Sequence, residues 1–284
     1  MKIRQILALL AVIVLPILPF TGCKEIDKAF DEAFFGSELY NASYVYLEGE
    51  TVEHIIPLMS KIDLSDLESV HEISEGADYT MTFKTESYEK TVGEYRLYKI
   101  ILSFSDIVFK NDKLKISEIQ ITTATGERYV IAPNKCEIVP LDGRLNQDYI
   151  NINGAPLRIP MDMMYIPLEL SKDTPAEDNL TVKGIRLTND DMSMYYYQHS
   201  DGSESDQFKE FLLNGENDIK TWKAMFEIKD DNREYMQYGT SIIVEYEYDG
   251  QVYVAVPAIV YSIYNPFDIN YESIDLYCAQ LGVK

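Results

Sequence analysis

The sequence predicts a mainly β protein with two antiparallel β-sandwich domains and a short N-terminal helix. Long runs of β-branched and aromatic residues, such as residues 95–109 and 114–123, have the composition of strands. Turn-forming pairs such as Asn111-Asp112 and Asp249-Gly250 separate these runs. The chain is 46% hydrophobic, with 22 Tyr and 11 Phe, which is enough apolar surface to fill folded cores.

The N-terminus has the features of an export signal. Lys2 and Arg4 precede an uncharged, mostly apolar run over residues 6–20. This run is shorter than the ~20 residues that a spanning helix needs, and it matches the core of a signal peptide. Two small residues follow it, and then Cys23.

Residues 15–23, LPILPFTGC, resemble the lipobox of bacterial lipoproteins, although Phe20 replaces the usual Leu. The resemblance implies cleavage before Cys23, a diacylglycerol on its sulfur, and insertion of these acyl chains into a membrane. An ordinary secreted protein or an N-terminal anchor are the alternatives. Residues 24–27 (KEID) loosely resemble the acidic export tag of surface lipoproteins. The expected location is the cell envelope, in the outer membrane, either surface-exposed or facing the periplasm.

The mature chain begins with a predicted short helix. Ile26, Phe30 and Phe34 fall on one face, and Gly36 can cap the end. The predicted organisation is a signal peptide (1–22), the lipidated cysteine with this helix (23–38), a first sandwich (39–145), a linker or edge segment (146–178) and a second sandwich (179–284).

We call the two predicted sandwich regions the first block (39–145) and the second block (179–284). Most of each block has the composition of strands. Two short helices are also predicted, one opened by the capping-box spacing of Ser65 and Glu68 and one over residues 206–214. The Asp249-Gly250 pair between apolar-alternating runs predicts a hairpin.

A weak internal repeat links the blocks. LKISEIQIT (114–122) and LTVKGIRLT (180–188) share their apolar positions. Two polar residues interrupt the alternation in each, which predicts a β-bulge in both strands. The recurrence is compatible with two sandwich domains, and coincidence between two β-rich sequences is the alternative. The predicted sandwiches are of the immunoglobulin-like or transthyretin-like kind.

The charge of the chain excludes some partners. The formal net charge is −22, and loss of residues 1–22 would remove two cations and make it −24. Nucleic acid requires Lys and Arg to neutralise its phosphates, so we expect no nucleic-acid partner. Flat binding to anionic lipid is disfavoured for the same reason.

Two cysteines remain after Cys23. Export permits a disulfide between Cys136 and Cys278, and a buried free thiol is the alternative. Neither cysteine is close in sequence to a histidine or to another cysteine, so no metal and no cofactor are predicted.

Catalytic motifs are missing from the sequence. There is no nucleophile elbow, no zinc-protease motif and no Gly-rich phosphate loop. The three histidines, His54, His71 and His199, are expected at the surface or at caps. No enzyme is predicted, although a pair of carboxylates could still serve a glycan hydrolase.

The segment MSMYYYQH (192–199) is the strongest candidate for a binding surface. In a strand, Met192 and Met194 lie on one face, and Tyr195, Tyr197 and His199 lie on the other. The first face suits a core. The second can form an aromatic platform for sugars or protein partners, unless a neighbouring sheet covers it.

These observations favour a lipid-anchored, non-catalytic envelope protein that binds glycans or surface proteins. The alternative is a fimbrillin-like pilus subunit or anchor, a family that also pairs a lipoprotein signal with two β-sandwiches. Its subunits are trimmed after an arginine near the mature N-terminus, whereas the first arginine after Cys23 here is Arg96. This difference disfavours a trimmed subunit but allows an anchor.

Overall fold

The computed structural model describes residues 40–92, 95–154, 158–159, 165–175, 178–198, 204–205, 208–213, 220–228, 237–257 and 260–263. The predicted signal peptide, Cys23 and the predicted helix within residues 24–36 lie outside this part of the chain. In the described part, which starts at Tyr40, no helix has the length and apolarity to cross a bilayer.

The described residues confirm a mainly β protein. The strands are β1 Tyr40–Tyr46, β2 Val52–Ser60, β3 Leu67–Glu75, β4 Ala77–Val92, β5 Tyr95–Phe109, β6 Leu114–Thr123, β7 Arg128–Ile131, β8 Lys135–Pro140, β9 Ile150–Gly154, β10 Arg158–Ile159, β11 Tyr165–Lys172, β12 Leu180–Leu187, β13 Met192–Gln198, β14 Glu204–Ser205, β15 Phe211–Leu213, β16 Lys220–Ile228, β17 Gln237–Tyr248, β18 Gln251–Ala255 and β19 Val260–Ile263.

These strands form three sheets. One has three strands in the order β2-β5-β4, and another has five in the order β14-β13-β16-β11-β9. The third sheet has eleven strands, and seven of them form the path β10-β19-β17-β1-β8-β6-β3. The remaining four join this path laterally: β12 and β18 pair with β17, β15 pairs with β12, and β7 pairs with β6.

Strand β1 joins the two halves of the chain. It pairs in parallel with β8 on one side and with β17 on the other, so that Ala42 lies between Cys136 and Gly239. The largest sheet is therefore mixed, and it does not follow the expectation of wholly antiparallel pairing. One continuous backbone ladder runs from the first block into the second.

Each smaller sheet shares a hydrophobic core with the large one. Ile56, Leu102 and Phe104 of the three-stranded sheet belong to the same buried cluster as Tyr44 and Ile116 of the large sheet. A second cluster combines the five-stranded sheet with the strands around β17. Its members include Leu170, Met192, Val182, Val244 and Tyr246.

Both predicted bulges are confirmed. In β6, Ser117 is the extra residue opposite the step from Ile73 to Ser74. In β12, Lys183 is the extra residue opposite the step from Tyr246 to Glu245. Each bulge restores the phase of the alternation, so that the apolar residues on both sides of it face the same core.

The predicted hairpin after β17 is also confirmed. Tyr248 pairs with Gln251, and only Asp249 and Gly250 lie between them. Their φ angles are 50° and 70°, the left-handed values that a two-residue turn with the twist of the strands requires.

Both helices predicted after Tyr40 are wrong where they can be compared with the structure. Leu67 and Glu68 begin strand β3, and the local signal instead forms a turn in which the backbone N–H of Ser65 donates to the Asp63 carboxylate at 3.0 Å. Within 206–214, Phe211–Leu213 is strand β15, which pairs with β12. In both places a partner strand outweighs the local preference for a helix.

The segment predicted as a linker, residues 146–178, supplies strands β9, β10 and β11. Strand β9 is an edge strand, whereas β11 lies between β9 and β16. Pro167 of β11 is in register with Lys223 of β16, and the described pairing of β11 with β9 begins only at Leu168.

Candidate functional site

Strand β13 carries two of the three predicted binding residues. Tyr195 is opposite Met225 and Tyr197 is opposite Lys223 in β16, and Tyr197 is also opposite Glu204 in β14. His199 lies outside the described residues.

The register shows which face of the five-stranded sheet these tyrosine positions occupy. Met192 and Leu170 lie at core-facing positions and are buried, at 3% and 0% exposure. In β13, Tyr195 and Tyr197 occupy the face opposite to that of Met192, because successive residues of a strand point to opposite faces. Tyr197 is in register with Lys223 of β16, and Lys223 is in register with Pro167 of β11. Glu169, two residues after Pro167, therefore lies on the same face as the two tyrosine positions. Glu169 is exposed, as is Asn151 on the same face. We call this the β13 face. It lies on the side of the sheet opposite the second core.

A second candidate is a cavity of about 260 Å³ where the two blocks meet, which we call the junction cavity. Residues that are distant in sequence line it: Tyr44, Val45 and Leu47 from β1 and its end, Glu50 and Thr51 just before β2, Val52 and Glu53 at the start of β2, Gln147, and Ser241, Val256 and Pro257 from the second block. The sequence did not predict any of them as a binding residue. They come together only because β1 pairs in parallel with β17, which no local pattern shows.

Polar contacts shape the wall of this cavity. The side-chain amide of Gln147 donates to the carbonyl of Val256 at 3.0 Å. The backbone N–H of Val45 donates to the Ser241 hydroxyl at 3.1 Å. Both contacts connect the first block, or the segment that follows it, to the second block.

The cavity lies at the end of β1 remote from Tyr40. Leu47 directly follows this strand, and it also lines a neighbouring apolar groove of about 390 Å³ with Tyr46, Phe109, Pro140 and Leu141. Both concave surfaces therefore lie at the end of β1 remote from Tyr40.

A polar network at the opposite end of β1 ties the blocks together. The Asn189 side chain, which is fully buried, donates to Asn41 Oδ1 at 2.9 Å and to the Gly239 carbonyl at 3.1 Å. The Lys135 ammonium donates to the carboxylates of Asp190 and Asp191. Burial by itself would lower the pKa of Lys135, but these hydrogen bonds outweigh it and raise the pKa.

The first core contains an unexpected polar cluster. His54 is fully buried, so the prediction that it lies at the surface is wrong. Its Nδ1 is hydrogen-bonded to the Tyr40 hydroxyl at 2.8 Å, and its ring is 4.9 Å from that of Tyr44. Burial lowers the pKa of His54 to about 3 and raises the pKa of Tyr40. The neutral imidazole packs as a core aromatic, and a ligand cannot reach it from solvent.

The predicted disulfide stays a prediction. Cys136 is buried, and burial raises the pKa of its thiol. Cys278 lies outside the described residues. Within the described part of the chain, no group of three or more His, Cys, Asp or Glu residues is arranged to hold a metal ion.

No model of a known protein family matches the chain, and no curated protein matches it in sequence. Solved structures with a partial likeness include the N-terminal periplasmic domain of ScsB from Proteus mirabilis, with 8% identity, TM-score 0.23, and coverage of 76% of this chain and 90% of that one. The D00-D0 domain of intimin has 7% identity and TM-score 0.22, with coverage of 82% and 99%. The C-terminal domain of the Streptococcus agalactiae AgI/II polypeptide BspA has 7% identity and TM-score 0.21, with coverage of 79% and 96%. TM-scores this low carry no argument about the fold or function of this chain.

Proposed function

We propose that this chain is a lipid-anchored protein of the cell envelope that binds glycans through the β13 face and is not an enzyme. In this proposal the three sheets form two immunoglobulin-like or transthyretin-like sandwiches. The observation that carries it is the register of β13, which puts the positions of Tyr195 and Tyr197 on the side of the sheet opposite the core.

The composition of the β13 face suits a sugar. Tyrosine rings stack on the apolar faces of sugar rings and lose little conformational entropy on binding. The exposed Glu169 and Asn151 on the same face can accept hydrogen bonds from sugar hydroxyls. A glycan therefore finds both stacking and hydrogen-bonding groups on one face.

The anchor supports a capture role at short range. Cys23 is 17 residues before Tyr40, where the described fold begins. Even a fully extended segment of this length spans at most about 60 Å. Acyl chains on Cys23 would hold the molecule at the bilayer, since each buried CH₂ contributes ~0.8 kcal/mol.

A glycan array tests the binding surface. The double variant Tyr195→Ala/Tyr197→Ala is expected to lose the glycans that the unaltered protein retains. A matched variant, Tyr95→Ala/Tyr129→Ala, removes two tyrosines from the first block and should keep them. Equal binding by all three proteins would rule out the β13 face as the glycan site.

The anchor has its own test. Mass spectrometry of the protein purified from its native membrane should show a diacylglyceryl cysteine at position 23 and no residues before it. The Cys23→Ala variant should keep its signal peptide and lose the acyl mass. An unmodified Cys23 thiol in the native product would contradict the proposed anchor.

A pilus role is the second candidate, because strand β4 has an open edge. From Thr80 to Ser87 it pairs regularly with β5, and no described strand pairs with its other side. Such an edge can accept an added strand from another subunit. SDS-resistant ladders of this protein on gels would support polymerisation, and a single monomer band from intact cells would contradict it.

A further inference from the structure

The junction cavity is separate from the β13 face, and its lining has a chemistry of its own. We propose that it binds a small organic cation: an alkylammonium group on an apolar stem, either as a free amine or as the side chain of lysine. This site does not depend on glycan binding, so either proposal can fail without the other.

The walls of the cavity provide an apolar surface for the stem. Leu47, Val52 and Val256 line it, and each is at most 9% exposed, so little of these side chains reaches bulk water. Pro257 completes the apolar lining. Methylene groups placed against these residues leave water, which is favourable in proportion to the apolar area buried.

The rim carries negative charge that no described cationic side chain pairs with. Glu50 and Glu53 line the cavity and are exposed, and neither forms an ion pair with a cationic side chain of the described residues. The only side-chain hydrogen bond between either carboxylate and a described residue is donated by the Ser103 hydroxyl to Glu53 at 3.1 Å. Among the described residues, the lining contains no Lys, Arg or His.

Gln147 adds a third acceptor. Its amide nitrogen is already used to bond the Val256 carbonyl, which orients the group. Its amide oxygen has no partner among the described residues. An ammonium group has three N–H donors and no acceptor, so two carboxylates and one amide oxygen match its hydrogen-bonding capacity.

The same charges decide against other ligands. An anionic ligand would meet two unpaired carboxylates on a chain whose net charge is −22. A neutral ligand of the same shape would gain the apolar contacts but not the charge-assisted hydrogen bonds, which are roughly twice as strong as neutral ones. The volume of about 260 Å³ is below the ~300–1,000 Å³ of pockets for drug-sized ligands, so one short chain fits better than an oligomer.

Calorimetry with matched probes tests this assignment. The probes are 1,5-diaminopentane and N-acetyl-lysine methylamide as cations, 1-pentanol as the neutral analogue, and hexanoate as the anion. At least one cation should bind at least about tenfold more tightly than 1-pentanol, and hexanoate should not bind. The better of the two cations identifies a free amine or a lysine side chain as the natural source.

Three variants locate the binding. Glu50→Gln/Glu53→Gln should weaken the cation at least about tenfold. Glu68→Gln/Glu75→Gln changes the net charge by the same amount at two exposed positions of β3 and should leave the affinity unchanged. Thr51→Trp keeps every charge and should block the cavity from its exposed rim.

Four outcomes would overturn the proposal. They are no binding of either cation, equal affinity for a cation and 1-pentanol, equal weakening by both double glutamine variants, and full binding by Thr51→Trp. The third outcome would mean that the cation responds only to the total charge of the chain, an effect that 0.15 M salt largely screens over distances beyond about 8 Å.

Discussion

Asn189 connects three segments of the fold, so truncating it should weaken the joint between the two blocks. Its side chain donates to Asn41 Oδ1 and to the Gly239 carbonyl, and it is completely buried. Asn189→Ala leaves both acceptors without this donor in a site that is closed to water. Each of the two unsatisfied buried groups costs about 1–3 kcal/mol, so the free energy of unfolding should fall by about 2–6 kcal/mol. This is a large part of the ~5–15 kcal/mol that stabilises a typical domain.

Urea unfolding followed by both far-UV and near-UV circular dichroism measures this loss. The control is Asn134→Ala, at an exposed position next to the same strand β8, which should change stability by less than about 0.5 kcal/mol. Asn189→Asp keeps the oxygen that accepts from the Asp191 N–H, but it replaces the donating amide nitrogen with an oxygen that faces two acceptors, so it should also be destabilising.

A specific result would refute the reasoning. If Asn189→Ala keeps the midpoint and slope of the unaltered protein, the hydrogen bonds of Asn189 do not stabilise the joint. A lower slope with two separate transitions would instead show that the blocks unfold one after the other once the network is broken.

Three further predictions follow from burial and backbone geometry. Because burial lowers the pKa of His54 to about 3, the folded state keeps it neutral while the unfolded chain takes up a proton below about 6.5. The free energy of unfolding should therefore fall as the pH drops from about 6.5 to about 3. Urea titrations should show that this fall is steeper than in His54→Gln by about 1.4 kcal/mol per pH unit. Gly76→Ala should lower the melting temperature far more than Gly126→Ala. Both glycines have a positive φ, but only a β-carbon at position 76 would lie 1.9 Å from the Lys113 carbonyl oxygen. Equal decreases in the melting temperatures of the two variants would contradict this. In reduced protein, the Cys136 thiol should react with iodoacetamide only after unfolding, because it is buried and its pKa is raised. Peptide mass mapping of folded protein treated with iodoacetamide at pH 8 tests this, and labelling of Cys136 before unfolding would contradict it.

Many strands were predicted correctly because their own residues have the composition and alternation of strands. The apolar and β-branched runs at 95–109 and 114–123 coincide with β5 and β6. The broken alternation around Ser117 and Lys183 predicted both bulges, since apolar residues on each side must face one core. Such signals depend only on neighbours in sequence.

The errors arose where a distant partner decides the structure. A capping-box spacing at Ser65 favours a helix, yet Leu67 and Glu68 pair with β6. Nothing near β1 in sequence shows that it will pair in parallel with β17, about 200 residues later.

The same reason explains what the sequence revealed of the candidate sites. The two tyrosines of the β13 face are alternate residues of one strand, so the alternation along the sequence was enough to find them. The junction cavity combines Tyr44, Gln147 and Ser241, and only the completed sheet brings them together.

The placement of β1 also has a mechanical consequence. The strand has six register pairs with β8 and four with β17, which follow one another along the strand and connect it sideways to both neighbours. Traction applied through the chain before Tyr40 would pull β1 lengthwise, so both ladders would share the load in shear and would have to yield together. Force applied through the residues before Tyr40 would therefore act on a strand that parallel partners hold on both sides.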